Sequence, residues 1–151
     1  TADGELANAI RVGLEAPLLL TAAFLRATSS WKAQRKVLNI SSGLGRRAMA
    51  GSAAYCAAKA GMDHYTRAVA MEQERLPNGA KIVSLAPGVI DTDMQVALRG
   101  SDPAGFPDRE RFVQLKEQGQ PSTPGEAAAR LIAYLRRADF GLQPVADVRE
   151  A

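Results

Sequence analysis

Lys81-Ile82-Val83-Ser84-Leu85-Ala86-Pro87-Gly88-Val89-Ile90-Asp91-Thr92 is the stretch on which the fold turns. Its first six residues are a mostly apolar run, and Pro87-Gly88 closes it. A short apolar run bounded by turn residues reads as a strand buried on both faces, as in a parallel sheet. Working backwards, Pro77-Asn78-Gly79 is a turn signal that ends a long segment reaching back to Ser52. Ala57, Ala58, Ala60 and Ala68 are strong helix formers, and Ser52 suits an N-cap, so a helix is expected from there to about Leu76. Before it, Gly43 to Gly51 reads as a glycine-containing loop, and Val37 to Ser41 as a second buried strand. Ser29 to Arg35 is a polar loop, and residues 5–27 read as a helix rich in Ala and Leu.

Working forwards, residues 89–122 read as irregular. Gly100, Pro103, Gly105, Pro107, Gly119 and Pro121 break them, with one helix expected near 108–118. Thr123-Pro124-Gly125-Glu126 is a helix start: Thr caps, Pro takes the first helical position and Glu reaches back. That helix should run to about Arg137, with a short strand around Val145 to Val148. Helices alternating with strands are the rhythm of a parallel α/β sheet. Two clear strands are too few for one. The pattern therefore predicts a doubly wound, Rossmann-like parallel sheet, present as its C-terminal portion, with the N-terminal strands expected ahead of Thr1.

The chain has 151 residues, 46% hydrophobic and 23% charged, which suits a packed domain rather than a disordered one. Lys and Arg total 19 against 16 Asp and Glu, a net charge of +3. Short pairs such as Arg46-Arg47 and Arg136-Arg137 do not make a basic stripe, so no nucleic-acid partner is expected. Cys56 is the single cysteine and cannot form an internal disulfide, which fits a reducing, cytoplasmic setting. The longest apolar run, Ala16 to Leu25, is ten residues and holds Pro17, too short to span a bilayer; no membrane role is expected.

Three stretches carry the chemistry: Asn39-Ile40-Ser41-Ser42-Gly43, Tyr55-Cys56-Ala57-Ala58-Lys59 and Pro87 to Thr92. All fall at or just after strand ends, where open α/β sheets form their ligand crevice. Tyr55 and Lys59 are four apart on a helix and share a face. An ammonium beside a phenol favours the phenolate, so the pair suits proton transfer at a carbonyl or hydroxyl group. The Ser42 hydroxyl would orient the same oxygen.

In this order and spacing the three motifs resemble those of the short-chain dehydrogenase/reductases. Ser42 matches the family's serine, thirteen residues before Tyr55, and Tyr55 with Lys59 matches its Tyr-x-x-x-Lys pair. Pro87, Gly88 and Thr92 match its Pro-Gly-x-x-x-Thr stretch, and the likeness runs from about residue 5 to 140. Ala86 to Gln95, Phe140-Gly141 and Asp147-Val148-Arg149 look most like the benzil reductase and sepiapterin reductase branch. The resemblance implies that 1–151 is the C-terminal part of one NAD(P)-binding domain. It implies reduction of a small carbonyl compound, a ketone or diketone, with NADP favoured and NAD the alternative. Tyr55 would give the proton, Lys59 would tune Tyr55 and bind the nicotinamide ribose, and Ser42 would hold the substrate oxygen. Pro87, Gly88, Val89, Ile90 and Thr92 would anchor the nicotinamide end. The helices at 5–27 and 52–76 would pair in a homo-oligomer.

Two departures bear on this. The family's Asn in a Val-Asn-Leu context is replaced in Val12-Gly13-Leu14, and the glycine-rich phosphate turn is expected ahead of Thr1. They support an alternative, a non-catalytic scaffold of the same fold. Among other residues, Cys56 reads as a small buried residue, His64 as a surface or interface residue rather than a base, and Asp91 and Asp93 as loop or capping residues rather than a metal pair. Met94, Phe106 and Phe112 either line a substrate lid or plug the core; Met94 is taken as substrate-binding.

Overall fold

The computed structural model describes residues 3–150. The chain opens with helix α1 (Asp3–Ile10), passes through a π-helical segment (Arg11–Glu15) and continues as α2 (Ala16–Ala27). Strand β1 (Lys36–Ile40) follows, then a 3-10 turn (Gly43–Gly45), the long α3 (Ala53–Glu74) and β2 (Lys81–Ala86). Next come α4 (Asp93–Arg99), α5 (Arg109–Glu117), α6 (Pro124–Arg136) and β3 (Val145–Asp147).

The sheet has three parallel strands in the order β1-β2-β3. Lys36 lies opposite Lys81 and Ile40 opposite Leu85; Ser84 lies opposite Val145 and Ala86 opposite Asp147. The central strand β2 is buried from Ile82 to Ala86, as its near-continuous apolar sequence requires. Its alternation splits the core in two. Ile82 packs with Val69 and Ala70 of α3 on one face, joined by Leu25, Val37 and Tyr65. Val83 and Leu85 pack with Tyr134 of α6, Phe140 and Ala146 on the other. Helices thus cover both faces, the doubly wound, Rossmann-like arrangement.

Local chemistry explains the element ends. The Thr123 hydroxyl accepts from Glu126 N at 3.2 Å while the Glu126 carboxylate accepts from Thr123 N at 2.9 Å, the expected capping box. Ser52 takes the N-cap position of α3, but its side chain makes no capping bond. The ladder runs one residue past β1, since Ser41 N donates to Leu85 O at 2.8 Å. Residues 93–99, expected to be irregular, form α4: a seven-residue helix between Thr92 and Gly100 is too short to show a helical period.

The first helix matches its expected span of 5–27 to within two residues. Asp3–Ala27 is one 25-residue helical rod with a mean hydropathy of 1.3 over its most apolar window, long and apolar enough to cross a membrane by length and composition alone. It packs as a folded-domain helix along one side: Tyr65 Oη donates to Leu18 O at 3.3 Å and Asn39 Nδ2 to Thr21 Oγ1 at 3.4 Å. Its other side, with Val12, Leu19 and Leu20, is exposed.

Candidate active site

Because β1 and β2 are parallel neighbours, they release the chain at the same edge of the sheet. Ser41-Ser42 leaves β1 beside Pro87-Gly88 leaving β2, and the first turns of α3 bring Tyr55 and Lys59 to the same place. The Lys59 ammonium donates to Ile40 O at 2.7 Å and lies 5.6 Å from the centre of the Tyr55 ring. Burial pulls the Lys59 ammonium below the usual lysine range, and the negative charge of Asp63 opposes that pull. Ser42 is extended and caps the 3-10 turn, its Oγ accepting from Leu44 N at 3.2 Å.

A cleft of about 420 Å³ opens over this edge. Its lining includes Ser42, Tyr55, Lys59, Pro87, Gly88, Val89, Ile90, Thr92 and Met94, every residue given a catalytic, cofactor-binding or substrate-binding role from the sequence. Gly88 has φ +79, a backbone that glycine adopts without strain. Thr92 is the N-cap of α4, yet its hydroxyl makes no capping bond. Phe112 also lines the cleft, and half-exposed Met94 stands at its mouth, whereas Phe106 is 5% exposed and plugs the core beneath Phe112, ring centres 5.6 Å apart. The alternatives of lid and plug are therefore divided among the three.

Sequence reasoning missed what stands behind the site. Asp63 is 1% exposed, and its Oδ1 accepts from Ser41 Oγ at 2.5 Å and Ser84 Oγ at 2.6 Å. Its Oδ2 is buried without a partner. One carboxylate thus ties α3 to the residue that follows β1 and to the interior of β2. A Cβ added at Gly45 would lie 2.5 Å from that Oδ2, so only glycine fits the turn here. The signal was present: Tyr55, Lys59 and Asp63 are spaced four apart on one helix face. Arg47, Met49, Gln95, Leu98 and Arg149 also line the cleft, and they come from segments scattered along the chain.

The remaining candidates fall as follows. Asp91 makes ion pairs with Arg99 at 3.2 Å and Lys116 at 2.5 Å, joining its loop to α4 and α5; the Lys116 hydrogen bond holds its carboxyl below the usual range. No group of residues suited to a metal ion occurs among the described residues. His64 is exposed. Cys56 is half-buried rather than buried, because it sits near the open end of α3. Gly13 lies in the π-helical segment, where an added Cβ would come within 3.0 Å of Ala58 Cβ; an asparagine side chain would push the two helices apart.

A family model described as short chain dehydrogenase matches residues 1–102. The chain belongs to the short-chain dehydrogenase family. Benzil reductase ((S)-benzoin forming) of Bacillus cereus is 38% identical over 131 residues, 87% of this chain and 53% of that protein. Sepiapterin reductase of Rattus norvegicus is 32% identical over 139 residues, 90% of this chain and 50% of that protein. The crystal structure of F189W actinorhodin polyketide ketoreductase with NADPH shares the fold, with a TM-score of 0.79 at 24% identity over 97% of this chain and 58% of that one. The chain spans about half the length of the curated relatives it matches.

Proposed function

We propose that this chain forms the C-terminal, proton-donating part of an NAD(P)-binding domain that reduces a small carbonyl compound to an alcohol, with NADPH as the reductant. One observation carries the reading: Ser42, Tyr55, Lys59 and the Pro87–Thr92 segment line a single cleft at the ends of parallel strands. The relatives support it, since they are named as reductases, of benzil to (S)-benzoin and of sepiapterin.

The residues fit the nicotinamide end of such a cofactor. The Thr92 hydroxyl is not committed to its own helix, and Gly88 carries no side chain into the cleft. The glycine-containing turn from β1 into α3 carries Ser42 at the nicotinamide end of the cleft, so the phosphates would rest on other residues. A nicotinamide held there by Thr92 and the Gly88 turn would supply the hydride for the carbonyl carbon. Ser42 Oγ donates to the carbonyl oxygen and polarises it. As negative charge grows there, the Tyr55 hydroxyl gives its proton and the C–O–H bond is complete. Lys59, fixed by Ile40 O, holds positive charge beside the phenolate left behind. In the reverse direction Tyr55 takes the proton.

The test is reduction of benzil and of simpler ketones by the protein encoded by the whole gene, with NADPH and NADH in parallel. Tyr55→Phe keeps the ring and removes the proton, and should lower turnover by about 10²–10⁴. Full activity in that variant would overturn the role of Tyr55. The second reading, a scaffold without catalysis, draws on Gly13, which stands where the family's asparagine is expected. It requires that NADPH fluorescence stay unchanged on titration with protein. We further place the protein in the cytoplasm as a homo-oligomer, with Val12, Leu19 and Leu20 covered by another copy.

A further inference from the structure

Beside the cleft, on the β3 side, lies a second hollow of about 140 Å³. Arg47, Gly88, Val89, Phe112 and Arg149 line both, so the two are contiguous. Arg111 and Arg130 complete a set of four arginines around the smaller hollow, and its lining contains no carboxylate.

Four guanidiniums facing one small space repel each other. Their partners are few. Arg149 is paired with Asp147, Nε to Oδ1 at 2.8 Å and Nη2 to Oδ2 at 2.6 Å, and Arg46 lies 3.6 Å from the same carboxylate. Asp147 is therefore shared between two cations and has little charge to spare for the others. Arg130 donates to the Ser122 hydroxyl, a neutral group. Arg47 and Arg111 make no side-chain hydrogen bond or ion pair among the described residues. The planar guanidinium suits bidentate contact with an oxyanion.

We propose that this hollow binds an oxyanion carried by the substrate, a carboxylate or a phosphate, while the carbonyl is reduced in the adjoining cleft. The proposal rests on the reductase reading above. It departs from a neutral diketone as the preferred substrate. Phe112 lines both spaces and would pack against the carbon chain between the carbonyl and the anion. Arg149 lies at the junction, where a Cβ on Gly88 would meet its Cδ at 3.6 Å.

The experiment compares matched ketones with the protein encoded by the whole gene and NADPH. Benzoylformate, 3-benzoylpropionate and 4-benzoylbutyrate are each assayed against the methyl ester, with 2-benzoylethylphosphonate as the phosphate-like arm. At one or more chain lengths an anion should exceed its ester at least tenfold in kcat/KM, through KM. Added salt should shrink that advantage. Arg111→Gln should erase it and leave the ester rates unchanged, and Arg111→Lys should restore part of it. A phosphonate preferred over the carboxylates assigns the site to phosphate esters, and the reverse to oxo acids. The proposal is overturned if the esters match the anions at every length, or if the preference survives Arg111→Gln. It is also overturned if Arg111→Gln raises the KM for NADPH instead, which would give the hollow to the cofactor. If no ketone is reduced, the reductase reading has failed. Calorimetric binding of 3-benzoylpropionate and its ester to wild type and Arg111→Gln then tests the hollow alone, and equal affinities overturn it.

Discussion

Gly45→Ala should destabilise the protein by about 3 kcal/mol, the combined scale of overpacking and of a buried hydrogen bond forced open. The new Cβ would lie 2.5 Å from Asp63 Oδ2 and 3.1 Å from Lys59 O. Neither atom is the loose end of a flexible side chain. Lys59 O belongs to the helical backbone of α3, and Asp63 is fixed by Ser41 and Ser84. If the carboxylate swings away it leaves two buried hydroxyls short of an acceptor; if the turn shifts it carries Ser42 with it. Urea unfolding followed by far-UV circular dichroism measures the cost. With a slope of about 2 kcal/mol per M, the midpoint should fall by about 1.5 M. Asp63→Ala in the same chain removes the colliding atom, so the double variant should be more stable than the sum of the two losses by about 1 kcal/mol or more. A midpoint within about 0.3 M of wild type, or strict additivity, would refute the picture of Asp63 as a fixed tie.

Asp63→Asn keeps a hydrogen-bonding side chain but removes the charge that supports the Lys59 ammonium against burial. The alkaline limb of the kcat–pH profile should therefore move to lower pH, and an unmoved limb would show that Asp63 does not act on Lys59. Asp147 is held below the usual carboxylate range, chiefly by its hydrogen bond from Arg149. Its contribution is present above the unfolded value of about 3.9 and is lost as the pH falls through the lower folded value. Asp147→Asn should then flatten the fall of stability in that acid window, as read by thermal melts between about pH 2 and 5.

The strands were legible because β2 is buried on both faces and so needs an unbroken apolar run, and because turn residues bound it. Tyr55, Lys59 and Ser42 were legible through the spacing that the resemblance supplies. Asp63 escaped notice because its partners, Ser41 and Ser84, lie 22 and 21 residues away and meet it only through the packing of α3 on the sheet. The arginines of the smaller hollow were illegible for the same reason. Arg47, Arg111, Arg130 and Arg149 belong to four separate segments, and net charge reports nothing of where charges converge. The first helix, expected at 5–27 and found at Asp3–Ala27, was legible through its Ala and Leu content, and Pro17 falls in the first turn of α2, where Pro is tolerated.

The register of the sheet also bears on how the chain reaches this structure. Lys36 must find Lys81, and Ser84 must find Val145, before either pair gains a ladder. Among the described residues no strand has a hairpin partner, so every sheet contact closes a loop of several dozen residues. Helix α3 can form early from local contacts, but the site it contributes to cannot, because Ser42 and Gly88 become neighbours only when β1 and β2 dock. Refolding should accordingly be slow for a chain of this size, with helical signal recovered before the cleft is assembled. During that interval the Ile82–Leu85 run is uncovered, and crowding by other unfolded copies would divert it into intermolecular strand pairing.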